Sequence, residues 1–139
     1  MHIRIMIAAL LVLGCATPED GFVGRFSGSY ECSGAYDDGL PYAEGPSAQT
    51  VAIERASDGS AYLAGSCTIP LDVIGPMRAE VEPTTCNAVL ADGNAATVMF
   101  ESGVIALDEP RLAYSLQAVM ETGTRLVQMT CTFTGVRIE

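Results

Sequence analysis

Cysteine is the residue type with the widest chemistry in this chain of 139 residues, and it occurs at Cys15, Cys32, Cys67, Cys86 and Cys131. No two of these cysteines form a Cys-x-x-Cys pair, so the spacing does not favour a zinc knuckle or a thioredoxin-type redox site. An odd number of cysteines in an exported protein leaves one thiol over after disulfides have formed. Cys15 is the candidate for that separate role, because it alone follows a long apolar run.

Residues 1–15, MHIRIMIAALLVLGC, have the size and order of a secretory signal, with a cationic start and then an apolar run. The apolar run, Ile5–Leu13, is too short to span a bilayer core of about 30 Å, which needs ~20 helical residues. The segment Val12–Cys15 resembles a lipobox, the motif at which bacterial lipoprotein signals are cut. The resemblance implies that Cys15 becomes the acylated first residue, bearing palmitate. It also implies an anchor in the cell envelope, at the outer membrane.

Export would place the other four cysteines in an oxidising compartment, where two disulfides can form. Four cysteines allow three connectivities. The segments Tyr30–Gly34 and Thr130–Gly135 are faintly similar and stand at opposite ends of the domain. If the sheet closes on itself, its first and last strands become neighbours. This arrangement predicts the pairs Cys32–Cys131 and Cys67–Cys86, with the two other connectivities still open.

Several catalytic residue types are missing after the signal, because residues 15–139 contain no histidine, lysine or tryptophan. A Ser-His-Asp or Cys-His arrangement needs histidine, and Schiff-base chemistry needs lysine. The commonest ligand of zinc and copper is absent as well, and no glycine-rich phosphate loop follows a predicted strand. We therefore predict that the protein is not an enzyme and that it holds no metal and no cofactor.

The stretch Asp37–Ser47, DDGLPYAEGPS, is rich in glycine and proline and is predicted to be a long loop. Its carboxylates could bind calcium or act as the acid and base of a glycosidase, but solvated carboxylates are common in loops. Catalysis would also need a carboxylate pair with a raised pKa in a cleft. We predict a binding loop, although its tyrosines could simply cap one end of the sheet. The candidate contact residues are Tyr36, Asp37, Asp38, Leu40, Tyr42 and Glu44.

The charge of the chain is strongly negative once the signal is removed. Residues 15–139 carry all 17 acidic residues and six of the seven arginines, which gives a formal charge of −11. No basic stripe remains to follow a phosphate backbone, so nucleic acid is not expected as a partner. An acidic surface favours solubility and could attract a basic protein of the envelope or the cell exterior.

Apolar and polar residues alternate with a period of two through most of the domain, which is typical of half-buried strands. Turn signals recur throughout, and no stretch has the spacing of an amphipathic helix. We predict an all-β fold, an antiparallel meander of about eight strands with two disulfides. A barrel is preferred to a sandwich because closure removes exposed sheet edges. The predicted division is 1–14 for the signal, 15–24 for the acylated cysteine and a tether, and 25–139 for one β domain.

Three resemblances suggest competing functions. Cys15 and the two segments Tyr30–Gly34 and Thr130–Gly135 resemble small bacterial lipoproteins with one disulfide-tied β domain, which implies a lipid-anchored binding or structural module. Ser57–Tyr62 resembles the Ser-Gly-x-x-Tyr loop of the membrane-bound inhibitors of c-type lysozyme, which implies an inhibitor of a basic hydrolase. The tripeptides Gly24–Phe26 and Gly28–Tyr30 resemble the Gly-x-Trp signature of lipocalins, which implies a carrier of a small apolar ligand.

Overall fold

The computed structural model describes residues 17–65, 67–90 and 92–139. The predicted signal and Cys15 lie outside these ranges. The described residues contain no helix that is long and apolar enough to cross a membrane. Their elements are α1 (Pro18–Phe22), β1 (Gly24–Tyr36), β2 (Pro41–Arg55), β3 (Ala61–Ala64), β4 (Ile69–Gly75), β5 (Arg78–Val81), β6 (Thr84–Val89), β7 (Ala95–Asp108), β8 (Arg111–Thr122) and β9 (Arg125–Arg137).

The strands form one antiparallel sheet in the order β5-β4-β3-β2-β1-β9-β8-β7-β6, with a further pairing of β5 to β7. That further pairing closes the sheet into a ring of strands. β5 and β6 lie in line along β7, because Arg78 is opposite Ala106 and Thr84 is opposite Phe100. The predicted antiparallel all-β fold with two disulfides is confirmed.

The two ends of the ring differ. At the end that holds the turns at 56–60, 76–77 and 109–110, every neighbouring pair of strands is hydrogen-bonded, and we call it the closed end. The opposite end holds the turns at 37–40 and 123–124. There Pro41–Val51 of β2 pairs only with β1, and β6 pairs only with β7, among the described residues. We call it the split end, because the hairpin of β3 and β4 is too short to fill the gap.

The core lies inside the ring and is formed by the inward-facing residues of the alternating strands. β8 is typical, since Leu112, Leu116 and Ala118 are buried and Ala113 and Gln117 are exposed. Cys32 and Cys131 face each other across β1 and β9 and form one disulfide. The other disulfide joins Cys67, between β3 and β4, to Cys86 of β6. Among the three possible connectivities, these are the two pairs that the sequence analysis predicts.

Two parts of the sequence interpretation need correction. The predicted tether 15–24 is in part folded, because Pro18–Phe22 forms a helix whose Phe22 is fully buried at the closed end. The predicted loop Asp37–Ser47 shrinks to a tight turn, and strand β2 begins at Pro41. Proline is tolerated here because this part of β2 is an edge, where a missing N–H breaks no ladder hydrogen bond.

Two strand assignments that follow from the alternation of apolar and polar residues also differ from the structure. The alternation predicts a single strand over Ala61–Ile69, which is wrong, because the chain leaves the sheet between β3 and β4. The separate strands predicted at Ala95–Glu101 and Val104–Leu107 are one strand, β7, with an irregularity between Phe100 and Ser102. Such a bulge bends the strand and lets its two halves pair with β6 and β5 in turn.

Candidate functional site

A cavity of about 260 Å³ opens at the split end, between the tip of the β3–β4 hairpin and the part of β2 that pairs only with β1. Its walls are about equally polar and apolar, with tyrosine, threonine and glutamine side chains among aliphatic ones. The lining residues are Tyr30, Gln49, Thr50, Val51, Leu63, Ala64, Gly65, Cys67, Ile69, Phe100, Tyr114 and Leu116. A concave site that offers both apolar surface and hydrogen-bonding groups can hold part of a ligand or partner.

Tyr30 lies on the inward face of β1, against the disulfide between β1 and β9. Its hydroxyl donates a hydrogen bond to the Sγ atom of Cys32 at 3.0 Å. Burial raises the pKa of Tyr30, and the negative charge of Glu44 adds to the effect. The hydroxyl therefore stays protonated and available as a donor at neutral pH.

Tyr114 of β8 forms the inner wall of the same cavity. Its ring stacks on Phe133 of β9, with the ring centroids 5.3 Å apart and an angle of 19° between the planes. Burial is the main cause that raises the pKa of Tyr114, and Tyr30 contributes further. Since the ring is held between β8 and β9, it gives the cavity a fixed aromatic wall.

Tyr42 and Glu44 form the rim of the split end, on the part of β2 that pairs only with β1. The Tyr42 hydroxyl donates a hydrogen bond to Oε2 of Glu44 at 3.0 Å. Burial and then this hydrogen bond raise the pKa of Tyr42 to about 12. The Tyr42 ring meets Tyr36 edge to face, with centroids 5.8 Å apart. The rim thus presents two aromatic rings and one exposed carboxylate side by side.

The turn between β1 and β2 is held by contacts to the neighbouring β8–β9 turn. Arg125 forms an ion pair with Asp38 at 3.2 Å, and its guanidinium lies 3.6 Å from the centre of the Tyr36 ring. The Asp37 amide donates a hydrogen bond to the Leu126 carbonyl at 3.0 Å. These contacts fix the turn, so the exposed groups of the rim keep a defined position.

The structure brings only some of the predicted loop residues together. Tyr36, Tyr42 and Glu44 form the rim, whereas Asp37, Asp38 and Leu40 lie on the turn beyond it. Sequence reasoning missed the cavity residues Tyr30 and Tyr114. Their alternation with polar neighbours placed them inside the sheet, where they read as ordinary core. A hydroxyl on an inward-facing ring was the one available signal, since a buried hydroxyl needs a hydrogen-bonding partner.

The described residues bring together few side chains that could bind a metal ion or take part in acid–base chemistry. No group of three histidine, cysteine, aspartate or glutamate side chains lies close enough to hold a metal ion in residues 17–65, 67–90 and 92–139. In the same ranges no polar or charged residue is fully buried. The arrangement at the split end can donate hydrogen bonds, offer one carboxylate and stack aromatic rings.

A second tyrosine–glutamate pair lies near the closed end and serves as a comparison. The Tyr62 hydroxyl of β3 donates a hydrogen bond to Oε2 of Glu54 of β2 at 2.8 Å. This hydrogen bond is the main cause that raises the pKa of Tyr62, whereas burial is the main cause for Tyr42. The two pairs share their chemistry and differ in their surroundings.

The turn Ser57–Ser60, which belongs to the segment similar to the lysozyme-inhibitor loop, lies at the closed end. Asp58 accepts hydrogen bonds from the backbone amide and the hydroxyl of Ser60, which lower the pKa of Asp58. Arg55 donates to the Gly59 carbonyl at 3.2 Å and forms an ion pair with Asp20 of α1. The turn is therefore connected to the helix at the N-terminal side of the domain.

Comparison with known proteins gives a fold likeness and no family. No protein-family model matches the chain. No curated protein sequence matches it either. Its fold is similar to the crystal structure of a Bacteroides fragilis protein that is provisionally described as an outer membrane protein, with a TM-score of 0.52 and 10% sequence identity. The likeness covers 86% of this chain and 52% of that one, so the chain spans about half the length of the B. fragilis protein.

Proposed function

We propose that this chain is a lipid-anchored envelope protein that binds a basic protein partner at its split end, without catalysis. The observation that carries this proposal is the rim, where the Tyr36 and Tyr42 rings meet and Tyr42 is hydrogen-bonded to the exposed carboxylate of Glu44. The negative charge of Glu44 also acts on Tyr30, which lines the cavity. Aromatic rings that expose both an apolar face and a hydroxyl are common contact residues in protein interfaces.

Charge supports a basic partner. Among the described residues, the half of the ring nearer the split end has seven carboxylates and one arginine. This arginine, Arg125, is already paired with Asp38. An uncompensated negative surface speeds the association of a positively charged partner and selects against acidic ones. The carboxylates are Glu31, Asp37, Asp38, Glu44, Asp92, Glu101 and Glu121.

The envelope location is supported by three observations. Residues 1–15 have the order of a secretory signal and end in a segment similar to a lipobox. The B. fragilis protein with a similar fold is provisionally described as an outer membrane protein. The two disulfides suit an exported protein, because exported chains fold in an oxidising compartment.

Two other functions are less well supported. For an inhibitor of c-type lysozyme acting through Ser57–Tyr62, the loop would have to reach its target from the closed end, where Arg55 links it to α1 near the proposed anchor. For a carrier of a small apolar ligand, the cavity at the split end would have to be lined mainly by apolar groups, whereas its walls are about equally polar and apolar.

The anchor is tested with Cys15→Ser in the full chain. Cell fractionation should find the wild-type protein in the membrane fraction and the variant in the soluble fraction. Peptide mass analysis of the wild type should find Cys15 at the N-terminus with added acyl mass. Variant protein that stays in the membrane fraction would contradict acylation as the means of attachment.

The binding surface is tested by capture from envelope extract with the wild-type protein, followed by affinity measurement on the captured partner. Glu44→Gln should weaken binding by up to about fivefold, which is the range of an exposed charge pair, and should reduce its dependence on salt. Glu54→Gln is the matched control, because Glu54 accepts the same kind of tyrosine hydrogen bond near the closed end. Weaker binding by Glu54→Gln alone would move the interface to the closed end and favour the inhibitor hypothesis.

A further inference from the structure

The helix α1 is fixed rigidly to the closed end of the ring. Phe22 is fully buried among the core residues. Arg137 of β9 donates hydrogen bonds to the Val23 carbonyl at 2.7 Å and to the Gly21 carbonyl at 2.5 Å, and it forms an ion pair with Glu109. Since α1 cannot swing away without losing these contacts, its first residue marks a fixed point on the domain surface.

The proposed acylation site lies only three residues before that point. Cys15 to Pro18 spans at most about 10 Å even when fully extended. An acyl chain on Cys15 would be inserted in the bilayer, so Pro18 would lie within or next to the layer of lipid headgroups. A domain tied this closely must rest its closed end on the lipid surface.

The closed end carries apolar side chains beside α1 that fit this contact. Ile74, near the end of β4, is 52% exposed, and Met77, in the turn between β4 and β5, is 65% exposed. This turn borders the helix. The position that a Cβ atom would take at Gly21 of α1 lies 4.0 Å from the Pro76 carbonyl oxygen. Apolar side chains at such a position can enter the boundary between headgroups and acyl chains.

We propose that the closed end docks on the bilayer, with Ile74 and Met77 in the headgroup layer, so that the rim and cavity at the split end point away from the membrane. This inference depends on the proposed acylation of Cys15. It goes beyond it by stating which surface the lipid covers and which surface is left free for a partner.

The test uses single-cysteine labels on the full acylated protein. Cys15 is blocked by acylation and the other four cysteines are in disulfides, so an introduced cysteine is the free thiol for a bimane label. Met77→Cys probes the closed end and Leu40→Cys, at a side chain that is 56% exposed, probes the split end. The labelled proteins are reconstituted into phosphatidylcholine–phosphatidylglycerol vesicles that contain lipid with brominated acyl chains.

We expect the bromine atoms to quench the label at position 77 at least about threefold more strongly than the label at position 40, because only the former reaches the acyl boundary. Ile74→Cys should behave like Met77→Cys and guards against a local effect of one substitution. Equal quenching at the two ends of vesicle-bound protein would overturn the orientation while leaving the anchor intact. Protein that does not float with the vesicles and labels at two thiols would overturn the acylation of Cys15, and the orientation with it.

Discussion

The closed and split ends carry the same kind of polar pair in different surroundings. At the closed end, Tyr62 and Glu54 lie across two fully paired strands. At the split end, Tyr42 and Glu44 lie on a strand that has lost one neighbour and borders a cavity. The same hydrogen bond therefore lies between two paired strands in one place and on an edge strand in the other. Incomplete strand pairing, rather than residue type, is what distinguishes the candidate site.

Removing a disulfide should change the stability of the two ends more than any other substitution. Cys32–Cys131 closes a loop of 99 residues and Cys67–Cys86 a loop of 19 residues. In the chain-entropy model these loops contribute about 4.7 and 3.3 kcal/mol to the free energy of unfolding. We expect the double variants Cys32→Ala/Cys131→Ala and Cys67→Ala/Cys86→Ala to lose stability in that order in urea denaturation.

Hydrogen exchange would locate the effect of the smaller disulfide. Losing Cys67–Cys86 should speed amide exchange in β6 and leave β1 and β9 unchanged, since the disulfide ties β6 to the β3–β4 hairpin across the split. Uniformly faster exchange over the whole ring would contradict the view that the split end is a separate, weaker region.

A phenylalanine at each end sharpens the comparison. Phe22→Ala would truncate a fully buried side chain at the closed end and should cost about 3–5 kcal/mol of unfolding free energy. Phe100→Ala would truncate a partly exposed wall of the cavity at the split end and should cost about 1–2 kcal/mol, because less apolar surface is lost. Equal losses, measured by urea denaturation, would mean that the split end is packed as tightly as the closed end.

The smallest expected effect is the response to high pH. The pKa of Tyr42 is raised to about 12 from 10.0, so its neutral form is favoured by folding. Its contribution to stability is fully present below pH 10 and is lost as the pH rises from 10 to about 12. Tyr42→Phe should therefore flatten part of the decline in melting temperature over this window.

The control for this pH effect is Tyr62→Phe at the closed end. The pKa of Tyr62 is also raised, mainly by its hydrogen bond to Glu54, but the ring is not buried. A smaller change in the pH profile is expected than for Tyr42→Phe. A larger change would indicate that the hydrogen bond, and not burial at the split end, controls the titration.

Most strands could be predicted from the sequence, because alternation with a period of two is a property of each strand alone. Leu112–Met120 alternates so regularly that its assignment to a strand needed no tertiary information. α1 could not be predicted in the same way, since five residues are too few to show helical periodicity. The strand character of Pro41–Thr50 was hidden for another reason. Its glycine and prolines signal a loop, and only the missing neighbour in the sheet makes them acceptable.

The candidate site was predictable only in part. Tyr36, Tyr42 and Glu44 could be selected because they are close in the sequence, and the hairpin keeps them close in space. The cavity behind them depends on the length of the β3–β4 hairpin and on the bulge in β7, which are set by contacts between distant segments. No local pattern marks Tyr30 or Tyr114 as cavity residues instead of core.

The unpaired edge of β2 has a consequence for how densely the protein can be displayed. Copies crowded side by side would bring such edges together, and an exposed edge invites strand pairing between chains. Pro41 and Pro46 interrupt this edge, and neither has an amide hydrogen to donate to a neighbour. Each proline thus removes one donor that strand pairing with a second chain would need, which disfavours polymerisation through this edge. The opening beside the edge then stays accessible.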